Sequence, residues 1–350
     1  MKNIAAIIMS MALASSAIAQ QPQGSSADSQ NYLSTSPPTA VIPIDPKRKL
    51  ELDRASQSSD ASEETAEQLR AAAGRVTALA PRLNEPVARI ENQQIAGPAG
   101  PIPIRIYTPK GKGPFPVLVF FHGGGWVVGT LDGRDDVCQS LANRAGVLIV
   151  SVDYRLAPEH KFPAAAEDSY AASRWAAMHA NDIGGDSRRV AVAGDSAGGN
   201  LAAATALYAR DKGGPRLVLQ VLVYPVTNYD FDTASYHENA VGYGLTRDRM
   251  IFYWDSYLAS PRDGESPYAS PLRAKDLHGL PPALILTAQY DPLRDDGEAY
   301  AARLHQAGIP VHVTRYLDMT HGFLASAATY PQANKAVQEI AMALRKAFAQ

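Results

Sequence analysis

The chain has 350 residues, enough for one large domain or two ordinary ones with a substantial buried core. Its 33 Lys and Arg against 35 Asp and Glu give a net charge of −2, which argues against a nucleic-acid partner. The single cysteine, Cys138, excludes an internal disulfide and argues against a cysteine-based metal site.

The N-terminal residues have the pattern of a cleavable export signal. Lys2 precedes a largely apolar stretch over 4–13, and a small-residue Ala-Ile-Ala sequence ends at position 19. About ten apolar residues are too few for a helix that spans a bilayer. We therefore expect a signal peptide over 1–19, a mature chain that begins at Gln20, a periplasmic or secreted location and no stable membrane insertion. The alternative is an ordinary buried helix.

The next segment, 20–46, is rich in Gln, Ser, Pro and Thr, which predicts a flexible tether because few apolar side chains offset the entropy of ordering. Residues 60–63 then resemble a capping box that opens a helix with one apolar face. That face comprises Leu69, Ala73, Val76 and Ala80. We expect N-terminal helices over 47–84.

After Pro86, short apolar runs alternate with helical patterns. The predicted strands are Ile102–Tyr107, Val117–Phe121, Val147–Val152, Val190–Ala193, Leu217–Tyr224, Ala283–Ala288 and Val311–Tyr316. The predicted helices are Ala164–Ala180, Asn200–Ala209, Leu293–Ala307 and Gln332–Ala349. Four strands are almost continuously apolar, as in strands covered on both faces. The alternation predicts a mainly parallel α/β sheet with right-handed crossovers.

Residues 228–270 interrupt this alternation. The segment is rich in aromatic residues and has a helical pattern around 247–258. It is too long for a simple crossover, so an inserted cap over the carboxyl edge of the sheet would fit. A pair of ordinary surface helices fits the pattern equally well.

Ser196 lies in the sequence Val-Ala-Gly-Asp-Ser-Ala-Gly-Gly (192–199), between a strand-like run and a helical run. This is the context of a nucleophile elbow, in which a serine hydroxyl projects from a sharp strand-to-helix turn. Serine needs an adjacent general base to act as a nucleophile at neutral pH. The assignment of Ser196 therefore depends on partners elsewhere in the chain.

In elbow enzymes the acid and the histidine follow the serine along the chain. Four histidines do so, namely His278, His305, His312 and His321. His321 is the candidate that falls in a loop just beyond a predicted strand, so it is the predicted base. Asp291, which follows another strand, is the predicted acid that orients the imidazole. The competing acids are Asp295, Asp296, Asp318, Asp230 and Asp232.

The sequence His-Gly-Gly-Gly-Trp (122–126) follows a predicted strand and matches the glycine-rich loop that supplies oxyanion-hole donors. We predict donors at the N–H groups of Gly123, Gly124 and Ala197, with His122 bracing the loop. The alternative is a phosphate-binding turn, but such a loop would continue with a lysine and a hydroxyl residue. We predict that Trp126 and Tyr224 contribute to substrate binding.

Together these motifs resemble the bacterial hormone-sensitive-lipase-like esterases of the α/β-hydrolase superfamily. The matching sequences, in the family's order over about residues 85 to 350, are 122–126, Tyr-Arg-Leu-Ala-Pro-Glu (154–159), Phe-Pro-Ala-Ala (162–165), 194–199, Asp-Pro-Leu-Arg-Asp (291–295) and His-Gly-Phe (321–323). The resemblance implies an eight-stranded, mostly parallel sheet over 85–227 and 271–350. It also implies a cap made from the N-terminal helices and 228–270.

The resemblance further implies a serine carboxylesterase with the triad Ser196, His321 and Asp291, without metal or cofactor. We expect a small uncharged ester with a short acyl chain as the substrate, and a monomer or homodimer. One alternative is a deacetylase of an acetylated glycoside, antibiotic or polymer side chain. A second alternative is a non-catalytic ligand-binding protein on the same fold, like the plant gibberellin receptor.

Overall fold

A computed structural model describes residues 42–44, 46–57 and 64–349. The predicted signal peptide, almost all of the predicted tether and the expected capping box at 60–63 lie outside the described residues. None of the helices in the described ranges combines the length and the apolar character needed to cross a bilayer.

One eight-stranded sheet organises the fold, with the strand order β1-β2-β4-β3-β5-β6-β7-β8. The strands are β1 Arg89–Gly97, β2 Gly100–Thr108, β3 Phe115–Phe121, β4 Leu148–Val152, β5 Gly185–Asp195, β6 Gln220–Val223, β7 Ala283–Tyr290 and β8 Val311–Thr320. β2 pairs antiparallel with β1 and β4, and the pairs from β4 to β8 are parallel. The mostly parallel eight-stranded sheet is therefore confirmed.

The helices are α1 Pro46–Gln57, α2 Ala66–Leu79, α3 Asp135–Ala145, α4 Ala164–Met178, α5 Ala197–Asp211, α6 Ala234–Glu238, α7 Arg247–Tyr257, α8 Arg294–Gln306 and α9 Pro331–Phe348. The four helices predicted after Pro86 are confirmed as α4, α5, α8 and α9, with small shifts at their ends. The helical pattern around 247–258 is confirmed as α7. Short 3₁₀ turns occur between several of these elements.

Three elements, β1, α3 and the short helix α6, are not predicted from the sequence. β1 is a polar edge strand in which Ile95 is buried, so it lacks the apolar run by which the other strands are recognised. α3 has apolar positions only on its core-facing side, where Val137 and Leu141 are buried four residues apart. A search for continuous apolar runs misses both patterns.

The sheet separates two apolar clusters. Along β3, Val117, Val119 and Phe121 face the cluster that includes α4, α5 and α8. Leu118 and Phe120 alternate with them and face the cluster that includes α3 and α9. Each such buried side chain stabilises the fold by about 1.5–3 kcal/mol. Helices cover both faces of the sheet, so a ligand site is expected beyond the carboxyl ends of the strands.

The N-terminal helix α2 begins with a capping box at Thr65, five residues after the start of the box that the sequence suggests. Gln68 N–H donates to Thr65 Oγ1 at 3.3 Å, and Thr65 N–H donates to Gln68 Oε1 at 2.8 Å. Leu69 and Ala73 pack against the core. Val76 is 69% exposed, so the predicted apolar face of this helix is wrong beyond its second turn.

Candidate active site

Ser196 occupies a sharp turn between β5 and α5, with φ 57° and ψ −121°. Its N–H donates to the carbonyl oxygen of Val223 at 2.8 Å. A Cβ atom on Gly194 would lie 2.2 Å from the carbonyl oxygen of Gly198, and one on Gly198 would lie 2.0 Å from that of Phe121. Backbone crowding thus requires both glycines, as the elbow pattern predicts.

The serine belongs to a hydrogen-bonded chain of three side chains. Ser196 Oγ lies 2.8 Å from His321 Nε2, and His321 Nδ1 lies 2.7 Å from Asp291 Oδ2. Asp291 is fully buried, and its Oδ1 accepts the N–H of Leu293 at 2.9 Å. An ionised carboxylate only accepts, so Nδ1 carries the proton and Nε2 accepts from the serine. This arrangement can activate the hydroxyl as a nucleophile.

The other aspartates considered as the acid of the triad bind other groups or lie elsewhere in the fold. Asp295 accepts the N–H of Ser235, and Asp318 lies within β8. Asp230 and Asp232 lie in the 228–270 segment, where Asp232 contacts His237. The carboxylate that the structure brings to His321 is that of Asp291.

The glycine loop, defined here as residues 122–128, follows β3 and lies beside the elbow. The N–H of Gly123 donates to Asp195 Oδ1 at 3.0 Å. The prediction of Gly123 as an oxyanion-hole donor is therefore wrong, because its N–H points at a buried carboxylate. Among the described residues, no acceptor is found for the N–H groups of Gly124, Gly125 and Ala197. Gly125 was missed because the motif does not show which two of its three glycines are free.

The two predicted substrate-binding aromatics are fully buried. Trp126 stacks on Tyr257 with ring centroids 4.2 Å apart and contacts Trp254 at 4.7 Å. Tyr224 lies 4.7 Å from the ring of His321, and its hydroxyl accepts the N–H of Leu324 at 3.3 Å. Both predictions are corrected, because neither side chain is exposed to a ligand. Trp126 supports the 228–270 segment, and Tyr224 packs behind the histidine.

An ion pair that the sequence did not suggest lies behind the serine. Asp195 is 1% exposed and accepts two bonds from Arg134, Nε at 2.9 Å and Nη2 at 2.6 Å. Burial alone would raise the pKa of Asp195, but the charge and hydrogen bonds of Arg134 hold it below its ordinary value. The position of Asp195 within the small-residue sequence 192–199 indicates that a cationic side chain should lie nearby. The sequence does not indicate that this side chain is Arg134.

His122 braces the glycine loop, as predicted. Its Nδ1 lies 2.9 Å from the carbonyl oxygen of Gly123, and its ring stacks on Tyr154 with centroids 4.4 Å apart. The hydroxyl of Tyr154 donates to the carbonyl oxygen of His122 at 2.7 Å. Burial lowers the pKa of His122 to about 4, so this side chain is neutral at physiological pH.

Two parts of the predicted cap touch the glycine loop from outside. A Cβ atom on Gly125 would lie 2.2 Å from the ring of Tyr253 on α7. From α2, Arg70 Nε donates to the carbonyl oxygen of Val127 at 2.8 Å. Neither contact is visible in the sequence, because both depend on segments that meet only in the folded chain.

A second buried carboxylate lies near Asp291. Asp296 Oδ2 accepts the N–H groups of Thr227 at 2.9 Å and Asn228 at 3.0 Å, and its Oδ1 is buried with no partner among the described residues. Burial raises the pKa of Asp296 to about 8. In the described ranges, no group of three or more His, Cys, Asp or Glu residues could hold a metal ion.

Comparisons with known proteins agree on one family. A family model described as alpha/beta hydrolase fold matches residues 118–325. Esterase LipI of Mycobacterium tuberculosis is 46% identical over 265 residues, which cover 74% of this chain and 82% of that protein. The ethyl acetate hydrolase of Pseudomonas putida is 38% identical over 251 residues, 70% of this chain and 78% of that protein. The solved hyperthermophilic esterase of the archaeon Pyrobaculum calidifontis has a TM-score of 0.82 and 42% identity, covering 87% of this chain and 99% of that one.

Proposed function

Because this chain belongs to the hormone-sensitive-lipase-like esterases of the α/β-hydrolase family and is a carboxylic ester hydrolase, we propose that it hydrolyses short-acyl, uncharged esters through Ser196, His321 and Asp291. The observation that carries this proposal is the continuous chain of short hydrogen bonds through the three side chains. The membership also argues against the non-catalytic alternative on the same fold.

In the proposed reaction, Ser196 Oγ attacks the ester carbonyl carbon while His321 Nε2 takes the hydroxyl proton. Asp291 stabilises the imidazolium that forms. The carbonyl oxygen becomes an oxyanion that accepts hydrogen bonds from the N–H groups of Gly124, Gly125 and Ala197. The C–O bond to the alcohol then breaks, and His321 donates its proton to the leaving oxygen. Water attacks the acyl-enzyme by the same steps, which releases the acid and restores the serine.

The direct test is Ser196→Ala, assayed with the butyrate ester of p-nitrophenol. We expect kcat to fall by about 10⁴-fold or more, because the nucleophile is lost while the fold keeps its core. Thermal unfolding of the variant provides the control for folding. Activity at the wild-type level in this variant would exclude the proposed nucleophile.

The short-acyl preference is supported by the bulky aromatics of 228–270 that pack against the glycine loop, and by the printed name of the ethyl acetate hydrolase. A panel of p-nitrophenyl esters from acetate to decanoate tests it, with the highest kcat/KM expected at four carbons or fewer. Acetylated glycosides in the same panel test the deacetylase alternative, which uses the same triad.

We also propose that the protein is exported, on the strength of the apolar stretch and the small-residue cleavage sequence that ends at position 19. Expression of the full chain followed by mass analysis of the processed protein tests this proposal. The expected product begins at Gln20 and is found in the periplasm or medium. An unprocessed chain that remains inside the cell would contradict it.

A further inference from the structure

We propose that Arg70, on the N-terminal helix α2, is a positioning residue for the glycine loop. Through that loop it sets the direction of the Gly124 and Gly125 N–H groups. The inference rests on the proposed function, in which these groups bind the carbonyl oxygen of the ester. It follows from the hydrogen bonds that hold the loop on its outer side.

Internal bonds shape the loop but leave part of it unsupported. The carbonyl oxygen of Gly124 accepts the N–H groups of Val127 at 3.1 Å and Val128 at 2.9 Å. The carbonyl oxygen of Trp126 accepts the N–H of Ala157 at 2.9 Å. These bonds close a tight turn and attach it to the segment that follows β4. They do not satisfy the carbonyl oxygens of Val127 and Ala157.

Arg70 supplies both missing donors. Its Nε donates to Val127 O at 2.8 Å, and its Nη2 donates to Ala157 O at 2.9 Å. Val127 is fully buried and Ala157 is 1% exposed. Buried carbonyl groups without a partner are rare because the lost hydration is not replaced. We therefore expect the loop to shift when the guanidinium is removed.

The guanidinium is also held in orientation. Its two terminal nitrogens donate to the carboxylate of Glu159, Nη1 at 2.8 Å and Nη2 at 2.7 Å. Glu159 belongs to the same segment as Ala157, so one planar group joins α2, the glycine loop and the segment after β4. A lysine ammonium cannot reproduce this fork, because it is a single point charge on a flexible stem.

A consequence is that the docking of α2 and the competence of the oxyanion donors are coupled. Leu69 and Ala73 pack against the core on either side of Arg70 along α2. When this helix is docked, the donor reaches the loop, and when the helix leaves, both carbonyl groups lose their partner. The cap thus contributes to the rate of acyl transfer as well as to substrate binding.

The test compares Arg70→Lys with Glu64→Gln in the otherwise unchanged chain. Glu64 accepts a hydrogen bond at 2.7 Å from Arg249 Nη2 of α7, and as a carboxylate it cannot donate to the loop carbonyl groups. For Arg70→Lys we expect kcat on p-nitrophenyl butyrate to fall by about 10- to 100-fold, with KM within about threefold of the wild type. Affinity for a trifluoromethyl ketone, which forms an oxyanion on the serine, should fall in parallel. Glu64→Gln should retain wild-type kcat and ketone affinity.

Active sites are counted by titration with a phosphonate, so that kcat refers to reactive serines only. A wild-type kcat per reactive serine in Arg70→Lys would overturn the proposal, as would an equal loss in Glu64→Gln. A fall in thermal stability without the change in kcat and ketone affinity would also overturn it. Failure of the triad assignment is distinct, because it would appear as retained hydrolysis in Ser196→Ala.

Discussion

The glycine loop is held in different ways on its two sides. On the core side, the N–H of Gly123 is bound to Asp195, whose carboxylate is 1% exposed and paired with Arg134. On the outer side, towards α2 of the predicted cap, the side chain of Arg70 is 32% exposed and that of Glu159 is 54% exposed. The core contact cannot open without leaving a buried charge unpaired. Arg70 and Glu159, in contrast, can replace the hydrogen bonds between them with hydrogen bonds to water. The core-side contact therefore fixes the position of the loop. The outer contact adjusts the direction of its Gly124 and Gly125 N–H groups.

The same contrast applies to the neighbouring glycines. A Cβ atom on Gly124 would lie 2.1 Å from the backbone oxygen of Val128, while the three atoms nearest to one on Gly125 all belong to the ring of Tyr253. The first obstacle belongs to the main chain of the loop itself. The second is a side chain on the cap, which a substitution can remove.

The largest expected effect comes from breaking the core-side contact. Arg134→Met leaves the Asp195 carboxylate buried without its cation, which should lower the free energy of unfolding by about 3–5 kcal/mol. Urea denaturation measures the loss. The double variant Arg134→Met/Asp195→Asn should recover part of it, because the unpaired charge is gone.

The matched control for this experiment is Arg188→Met, since Arg188 is 87% exposed and its partner Asp186 keeps a second cation, Arg189, at 2.9 Å. It should leave the denaturation midpoint unchanged. A midpoint shift as large as that of Arg134→Met would mean that the exposure of the arginine and the second cation do not distinguish the two pairs.

The contrast between the two glycines predicts a smaller effect, on kcat/KM. A second substitution should reverse part of this loss at Gly125 but not at Gly124. Gly124→Ala, at φ 128°, and Gly125→Ala, at φ 59°, should each lower kcat/KM by about 100-fold, because the oxyanion donors move. Adding Tyr253→Ala should restore about tenfold to Gly125→Ala, because the clash with the ring is relieved and the left-handed strain that remains is about 1–2 kcal/mol.

Tyr253→Ala alone provides the baseline for this comparison, and kcat/KM on p-nitrophenyl butyrate is the measurement. Adding Tyr253→Ala to Gly124→Ala should restore no activity, because the clash there is with the main chain. Equal recovery in both double variants would show that the two sides of the loop are not distinct.

The smallest expected effect concerns Asp296, a buried carboxyl group next to Thr227 and Asn228. The pKa of Asp296 is raised to about 8, so the folded protein holds a proton that the unfolded chain releases near pH 4. Stability from this group is complete below about pH 4 and is lost as the pH rises towards 8. From pH 5 to 6.5 the loss should be about 2 kcal/mol.

Asp296→Asn should remove this dependence, because an amide keeps the acceptor for Thr227 and Asn228 and does not ionise. Urea denaturation of both proteins at the two pH values gives the difference. Parallel changes in the wild type and the variant would assign the pH dependence to other groups.

Much of the site could be predicted because its residues are linked to strand ends. Ser196, His321 and Asp291 each follow a strand whose apolar run is visible in the sequence, and parallel strands bring their carboxyl ends together. The sheet was predicted for the same reason, apart from the polar edge strand β1. Local sequence and sheet topology together placed these three residues.

The remaining residues depend on contacts between distant segments. Which N–H groups of the glycine loop are free is decided by Asp195, 72 residues from Gly123. Arg70 reaches Val127 and Glu159 across 57 and 89 residues. Trp126 and Tyr224 are predicted to contribute to substrate binding, but both side chains are fully buried. Contacts between residues so far apart in the sequence cannot be predicted from periodicity or motifs.

The crowding at Gly194 and Gly198 has a consequence for engineering. Any side chain there would collide with main-chain oxygens that no compensating substitution can move, so both positions are closed to sequence libraries. On α7, Trp254 and Tyr257 contact the side chain of Trp126, so paired changes can be accepted there. A library designed to change acyl-chain preference should therefore leave the elbow constant and combine substitutions along α7 with those at the side chains that α7 contacts.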